Sequence, residues 1–274
     1  MRTVRPLAVV TGASSGIGRE LAGTFADHGF DLIVCAEDAA LADAARELRG
    51  RGADVTAVRA DLATYDGVEQ LYAAVAATRR PVAAAALNAG VGIGGAFVDN
   101  DLADEARVID VNVSSTVHLA KRLLPGMVDA GGGRLLITSS LVATTPGSFQ
   151  AVYNASKSFL QSFAQALANE LKDTGVTVTA LMPGATRTPF FHRAGMDDTR
   201  LGRMTAKDDP ARVAEEGFEA LMRGRHKAVV GSVRSKALGA ATKVLPDRLK
   251  AAGQRFLSEP RPRRRRRPPR GPRR

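Results

Sequence analysis

Residues 7–18 read LAVVTGASSGIG: a short apolar run, a glycine-rich turn, and the start of a helical pattern. An apolar run of this length ending in turn residues suits a buried strand. Ile17, Leu21 and Phe25 then fall on one face of a helix that Gly29 closes. A glycine turn between strand and helix lets the backbone come close to an anion. The helix start adds free N–H groups and a positive dipole end. The spacing is G-x-x-x-G-x-G, not the commoner G-x-G-x-x-G. The turn alone is weak evidence, and its place directly after the first strand gives it weight. Gly12, Ser14, Ser15, Gly16, Ile17 and Gly18 are the candidate contacts to a dinucleotide pyrophosphate.

Outward from this unit the pattern repeats. DLIVCA (31–36), DVTAVRA (54–60), VAAAALN (82–88), RLLITSS (134–140), VTVTALM (176–182) and HKAVVGS (226–232) read as further strands. Helical patterns occupy 38–50, 64–78, 101–130 (interrupted at Pro125) and 150–173. Strands that alternate with helices imply right-handed βαβ units and a parallel sheet. The strands are dense in Val, Ile, Leu and Ala, as strands buried on both faces are. The expectation is an α/β fold: a doubly wound, Rossmann-like parallel sheet of about seven strands over residues 1–235. Residues 236–259 read as a short helical extension broken at Pro246.

The bulk properties narrow the setting. At 274 residues with 45% hydrophobic content, the chain can build a sizeable core. One cysteine, Cys35, excludes an internal disulfide framework. No apolar run reaches the roughly 20 residues of a membrane span, and LAVV is too short for a secretion signal. A soluble cytoplasmic protein is expected. The net charge of +11 is concentrated in PRPRRRRRPPRGPRR (260–274), whose nine arginines leave 11 − 9 = +2 for the rest. Such a tail cannot form a core and is expected to be disordered, with nonspecific polyanion contact open to it. The four histidines show no metal spacing, and no metal is expected.

TGxxxGIG, the Asn88-Ala89-Gly90 triplet after strand four, and Tyr153-x-x-x-Lys157 after strand five stand in order along about residues 5–232. Together they resemble the short-chain dehydrogenase/reductase family in its one-domain form. The resemblance implies catalytic roles for Asn112, Ser140, Tyr153 and Lys157. It places Asp61, with Leu62, beside the adenine, and Asn88, Ala89 and Gly90 along the cofactor. Pro183, Gly184, Thr186 and Thr188 fall on the nicotinamide side. Tyr153 and Lys157 are four apart on a helix and share a face. A free phenol has a pKa of about 10, and a neighbouring ammonium lowers it, which suits a general acid and base. Ser140 would stabilise charge on the substrate oxygen, and Asn112 would position a relay water. The implied reaction is hydride transfer between NAD(P) and a carbonyl or secondary alcohol.

Cofactor choice rests on strand two, which ends CAEDAA. Glu37 and Asp38 would repel a 2′-phosphate, so the balance favours NAD, with Arg19 and Arg59 able to reverse it. Substrate contacts are expected from Leu141 and Val142, from Phe149 within 147–150, and from Phe190 in the lid-like stretch 189–209. They suit a small hydrophobic alcohol or ketone. A homodimer or homotetramer is implied by resemblance, and 236–258 could cover the pocket. Competing readings are a 3-oxoacyl-thioester reductase of the same family, a non-catalytic NAD(P)-binding regulator, an arginine-tail nucleic-acid binder, and an epimerase or dehydratase.

Overall fold

Leu7, Val9, Ile33 and Cys35 point to one side of the sheet, and Ala8, Val10, Leu32 and Val34 to the other. Alternate residues of a strand face opposite ways, so apolar residues at every position require helices on both faces. The computed structural model, which describes residues 5–233, 235–237 and 245–260, has that arrangement. Its strands are β1 (Leu7–Thr11), β2 (Asp31–Ala36), β3 (Val55–Arg59), β4 (Val82–Leu87), β5 (Gly133–Thr138), β6 (Val176–Pro183) and β7 (Lys227–Val230). They form one sheet in the order β3-β2-β1-β4-β5-β6-β7, and every neighbouring pair is parallel.

The helices are α1 (Gly16–Asp27), α2 (Leu41–Gly50), α3 (Tyr65–Ala77), α4 (Leu102–Ile109), α5 (Ser115–Asp129) and α6 (Ala151–Glu170). Short α7 (Phe190–Arg193) and α8 (Arg200–Arg203) precede α9 (Pro210–Met222), and α10 spans Asp247–Ser258. Leu21 and Phe25 of α1, Leu48 of α2 and Phe218 of α9 fill one face. Leu71 of α3, Leu119 and Met127 of α5, and Leu160 of α6 fill the other. The chain winds outward from β1 to β3, then returns to place β4 on the other side of β1. The connections after β1 and β4 leave on opposite faces, which opens a crevice at the strand ends.

Several boundaries differ from the sequence reading. The helix expected over 101–130 breaks at Asp110–Ser114, a single π turn between α4 and α5, and not at Pro125. Pro125 lies inside α5, whose buried Leu123, Leu124 and Met127 hold it to the core. One lost backbone rung does not outweigh that packing. Helix α2 begins at Leu41 because the Asp38 carboxylate accepts the Ala40 N–H at 3.1 Å and holds a turn first. In the extension, α10 follows Pro246 as expected. Most of the first expected piece, and the tail from 261 on, lie outside the described residues.

Phe25 anchors the first face. It is fully buried and packs edge-on against Phe30 and Phe218, each at 5.1 Å between centroids. Phe25→Ala is expected to lower the unfolding free energy by about 3–5 kcal/mol, measured by urea denaturation. A loss below about 1 kcal/mol would show that this face repacks freely.

Candidate active site

The crevice is a cavity of about 730 Å³ that runs from the glycine turn to α10. Its floor is a set of tied strand ends. The Thr11 hydroxyl accepts the N–H groups of Asn88 and Ala89, both at 2.9 Å. Asn88 donates its amide to the Thr11 carbonyl at 3.2 Å, and Thr138 donates to Asn88 Oδ1 at 3.1 Å. The ends of β1, β4 and β5 are therefore fixed together.

The glycine turn fits a pyrophosphate. Gly12 and Gly16 have φ of +67° and +56°, the left-handed region that favours glycine. A Cβ on Gly18 would lie 2.2 Å from the Gly12 carbonyl oxygen, so α1 packs against the turn as only glycine permits. Ser15 stands at the N-cap of α1, and no side chain caps that first turn. Gly12, Ser14, Ser15, Gly16 and Ile17 all line the cavity. Gly18 does not, and its role is this close packing.

At the other end, Ser140, Tyr153 and Lys157 converge on the cavity. Ser140 follows β5 and caps a short 3₁₀ turn, accepting the Val142 N–H at 3.3 Å. Tyr153 and Lys157 share a face of α6. The Lys157 ammonium lies 5.8 Å from the Tyr153 ring centre and donates to the Thr138 carbonyl at 2.9 Å. Ser139 donates its hydroxyl to the Lys157 carbonyl at 2.8 Å, so its side chain steadies the helix, whereas the Ser140 hydroxyl bonds Tyr153. Burial pushes the Tyr153 phenol up to about 12, against a smaller lowering by its hydrogen bond with Ser140. Burial alone brings the Lys157 ammonium down to about 8. In the protein alone desolvation of the phenol prevails; the expected lowering by Lys157 belongs to the state with an oxidised nicotinamide alongside.

Asn112 sits in the π turn, fully buried and outside the cavity lining. Its side chain accepts the Val91 N–H at 2.8 Å and donates to the Val91 carbonyl and to Ser156, both at 2.9 Å. It thus clamps the loop after β4. That loop, GVGIGG, is bonded at both sides: Gly94 donates to the Ala194 carbonyl at 2.8 Å, and Gly95 to that of Phe149 at 3.0 Å. The remaining expected contacts, Asp61, Leu62, Asn88, Ala89, Gly90, Pro183, Gly184, Thr186 and Thr188, line the cavity.

Of the expected substrate contacts, Leu141, Val142 and Phe190 line the cavity, and Phe190 packs 5.1 Å from the Tyr153 ring. Phe149 does not. Its backbone is left-handed (φ +63°), and its ring lies 5.6 Å beneath the Arg255 guanidinium of α10. The described part of the extension does cover the pocket. Gln254 and Leu257 of α10 join the lining, and Gln254 and Ser258 hydrogen-bond the buried Gln150 at 3.4 and 3.3 Å.

Beyond the end of β2, Glu37 and Asp38 are each paired with a cation. Arg107 of α4 bonds Glu37 and grips Asp61 at 3.0 and 3.2 Å. Asp38 accepts from Ser14 at 2.9 Å and from Arg193 at 3.4 Å. Arg19 is engaged elsewhere, with Glu47, while Arg59 donates to the Glu37 carbonyl at 2.9 Å. Sequence reading missed Arg107, whose partners lie far away in the chain.

A switch-point crevice with a glycine turn at one end and a Ser–Tyr–Lys group at the other defines an NAD(P)-dependent oxidoreductase. Residues 6–198 match the short chain dehydrogenase family, and the chain belongs to it. The oxidoreductase UcpA of Salmonella typhimurium is 33% identical over 217 residues, 78% of this chain and 79% of that protein. A Burkholderia phymatum short chain dehydrogenase/reductase in complex with NAD superposes with a TM-score of 0.76 at 27% identity, covering 89% and 94% of the two chains. A Sphingobium yanoikuyae short-chain dehydrogenase in complex with NADPH gives 0.75 at 29% identity, covering 87% and 93%. No helix among the described residues is long and apolar enough to cross a membrane.

The buried ammonium has a consequence for stability. The Lys157 proton is disfavoured in the fold down to about pH 8, against 10.5 for a free lysine. The stability this group allows is therefore full above 10.5 and is lost as pH falls through 8. Relative to wild type, Lys157→Met should be most favoured below pH 8, and the difference should shrink towards 10.5. Thermal unfolding of both proteins across that range checks it. A difference that does not vary with pH would rule burial out as the cause.

Proposed function

We propose that the chain moves a hydride between a nicotinamide and a carbonyl or secondary alcohol, with Tyr153 as general acid and base. The observation that carries this is that Ser140, Tyr153 and Lys157 open on the same cavity as the glycine turn. When bound, the nicotinamide supplies or takes up the hydride. In reduction the Tyr153 hydroxyl gives its proton to the substrate oxygen, and in oxidation the phenolate takes one back. A phenol at about 12 is protonated near neutrality, which suits the reducing direction. Oxidation needs a cation beside the phenolate, and Lys157 is the ammonium in place. The Ser140 hydroxyl, which accepts from Val142 and hydrogen-bonds Tyr153 in the protein alone, turns its hydrogen to the substrate oxygen once the substrate is in place. Asn112 acts on this site as a positioning residue, through the Val91 loop.

The substrate end is walled by Leu141, Val142, Phe190, Phe191, Leu201, Met204 and Leu257, which supports a hydrophobic ketone or alcohol. Glu37 and Asp38 are each paired with an arginine, which offsets their repulsion of a 2′-phosphate, so the cofactor is NAD(P). Leu102 and Ile109 of α4 and Phe159 of α6 stay exposed, which supports a homo-oligomer formed through these helices.

Tyr153→Phe should bind NADH and NADPH as the wild type does, by nicotinamide fluorescence, and lose about 10²–10⁴-fold in ketone reduction. Ser140→Ala should lose about 10²–10³-fold. Normal turnover by the phenylalanine variant on a panel of aliphatic and aryl ketones would sink the mechanism.

A further inference from the structure

The adenosine end of the cavity contains an unusual charge arrangement. Glu37 follows the last residue of β2, where an acid ordinarily meets the ribose of a bound dinucleotide and a nearby arginine accommodates a 2′-phosphate. Here the arginine comes from α4. Arg107 donates one Nη2 hydrogen to Glu37 and uses Nη1 and Nη2 together to grip the Asp61 carboxylate. That engages three of its five N–H donors and leaves two.

The two carboxylates hold Arg107 unequally. Asp61 makes the bidentate pair and is itself fixed, since its Oδ1 also accepts the Ala63 N–H at 2.9 Å. Glu37 makes one contact from a half-exposed side chain. The hydrogen bond with Asp61 is the largest influence raising the Arg107 pKa, and the reciprocal bond is the largest lowering that of Asp61. Asp61 is thus the anchor and Glu37 the exchangeable partner. An exposed carboxylate–guanidinium contact contributes little, whereas a guanidinium–phosphate pair is among the stronger hydrogen-bonded pairs. A second guanidinium, that of Arg59, donates to the Glu37 carbonyl. Around this end of the cavity Glu37, Asp38, Asp61 and Asp104 face Arg107 and Arg193, so an incoming dianion is held by direct contact with a guanidinium and not by the net charge of the lining.

We propose that Arg107 is the residue that decides between the two dinucleotides, giving its guanidinium to a 2′-phosphate in place of Glu37 while Asp61 keeps it at the site. The chain then accepts the 2′-phosphorylated cofactor, NADP(H), despite the acidic end of β2. This rests on the dinucleotide reading above, so the test separates the two.

Calorimetric titrations with adenosine 2′,5′-bisphosphate and with 5′-AMP isolate the 2′-phosphate without any nicotinamide. Wild type should bind the bisphosphate about tenfold or more tightly than 5′-AMP. Arg107→Met should remove about that factor from the bisphosphate and leave 5′-AMP within about threefold, which also shows that the variant is folded. Glu37→Gln, which frees the guanidinium, should tighten the bisphosphate and leave 5′-AMP unchanged. A wild-type preference for 5′-AMP, or an equal loss of both ligands in Arg107→Met, would overturn the proposal. Wild type that binds neither nucleotide nor NADH would instead remove the proposed function, and this inference with it.

Discussion

The Thr11 hydroxyl, by accepting the N–H groups of Asn88 and Ala89, holds together two strands whose connections part to opposite faces. The rest of the site is referred to that contact. It sets the glycine turn after β1 against the loop after β4. Through Asn88 and Thr138 it extends to β5, and β5 leads into Ser140. The Lys157 ammonium then bonds the Thr138 carbonyl, so the Ser–Tyr–Lys end and the glycine-turn end share one rigid base. A sheet whose strand ends are locked can hold reacting groups with the precision that loops alone rarely reach.

The site works against the stability of the fold around it. Lys157 is an ammonium with almost no exposure, paired with a carbonyl rather than a carboxylate. Among the described residues it is the buried lysine of α6, and desolvation is what shifts it. The Tyr153 phenol is shifted the opposite way by the same burial. Each is moved towards its neutral form, and in the proposed reaction a proton passes more readily when neither partner is locked in its charge. Phe149, left-handed just before α6, adds local backbone strain at the same place.

What the sequence revealed follows the range of each interaction. The glycine turn, the tyrosine–lysine pair and the apolar strands are local patterns, and the order of strands and helices carries the sheet topology with them. The π turn was not legible, because DVNVSS has the composition of an ordinary helix and only the clamp of Asn112 on Val91 and Ser156 shows why the extra residue is there. Pro125 was overvalued as a breaker, since its surroundings in the core do not appear in the local sequence. Arg107 was invisible for the same reason. Its acceptors are 46 and 70 residues away, and nothing near Arg107 in the chain announces them. Glu37 and Asp38 line the cavity, but their effective charge depends on partners that only the fold supplies.

The π turn also separates two jobs along one helical rod. Each residue of an α-helix advances by about 100°, so an inserted residue rotates everything before it relative to everything after. Helix α5 keeps Leu119, Leu123 and Met127 in the core. Helix α4, turned out of that phase, presents Arg107 to the cavity. On the role proposed for Arg107, changes on α4 alter what that end of the cavity recognises without disturbing the stripe that packs α5. An ancestral fold with this joint could acquire a new cofactor preference while its core stayed as it was.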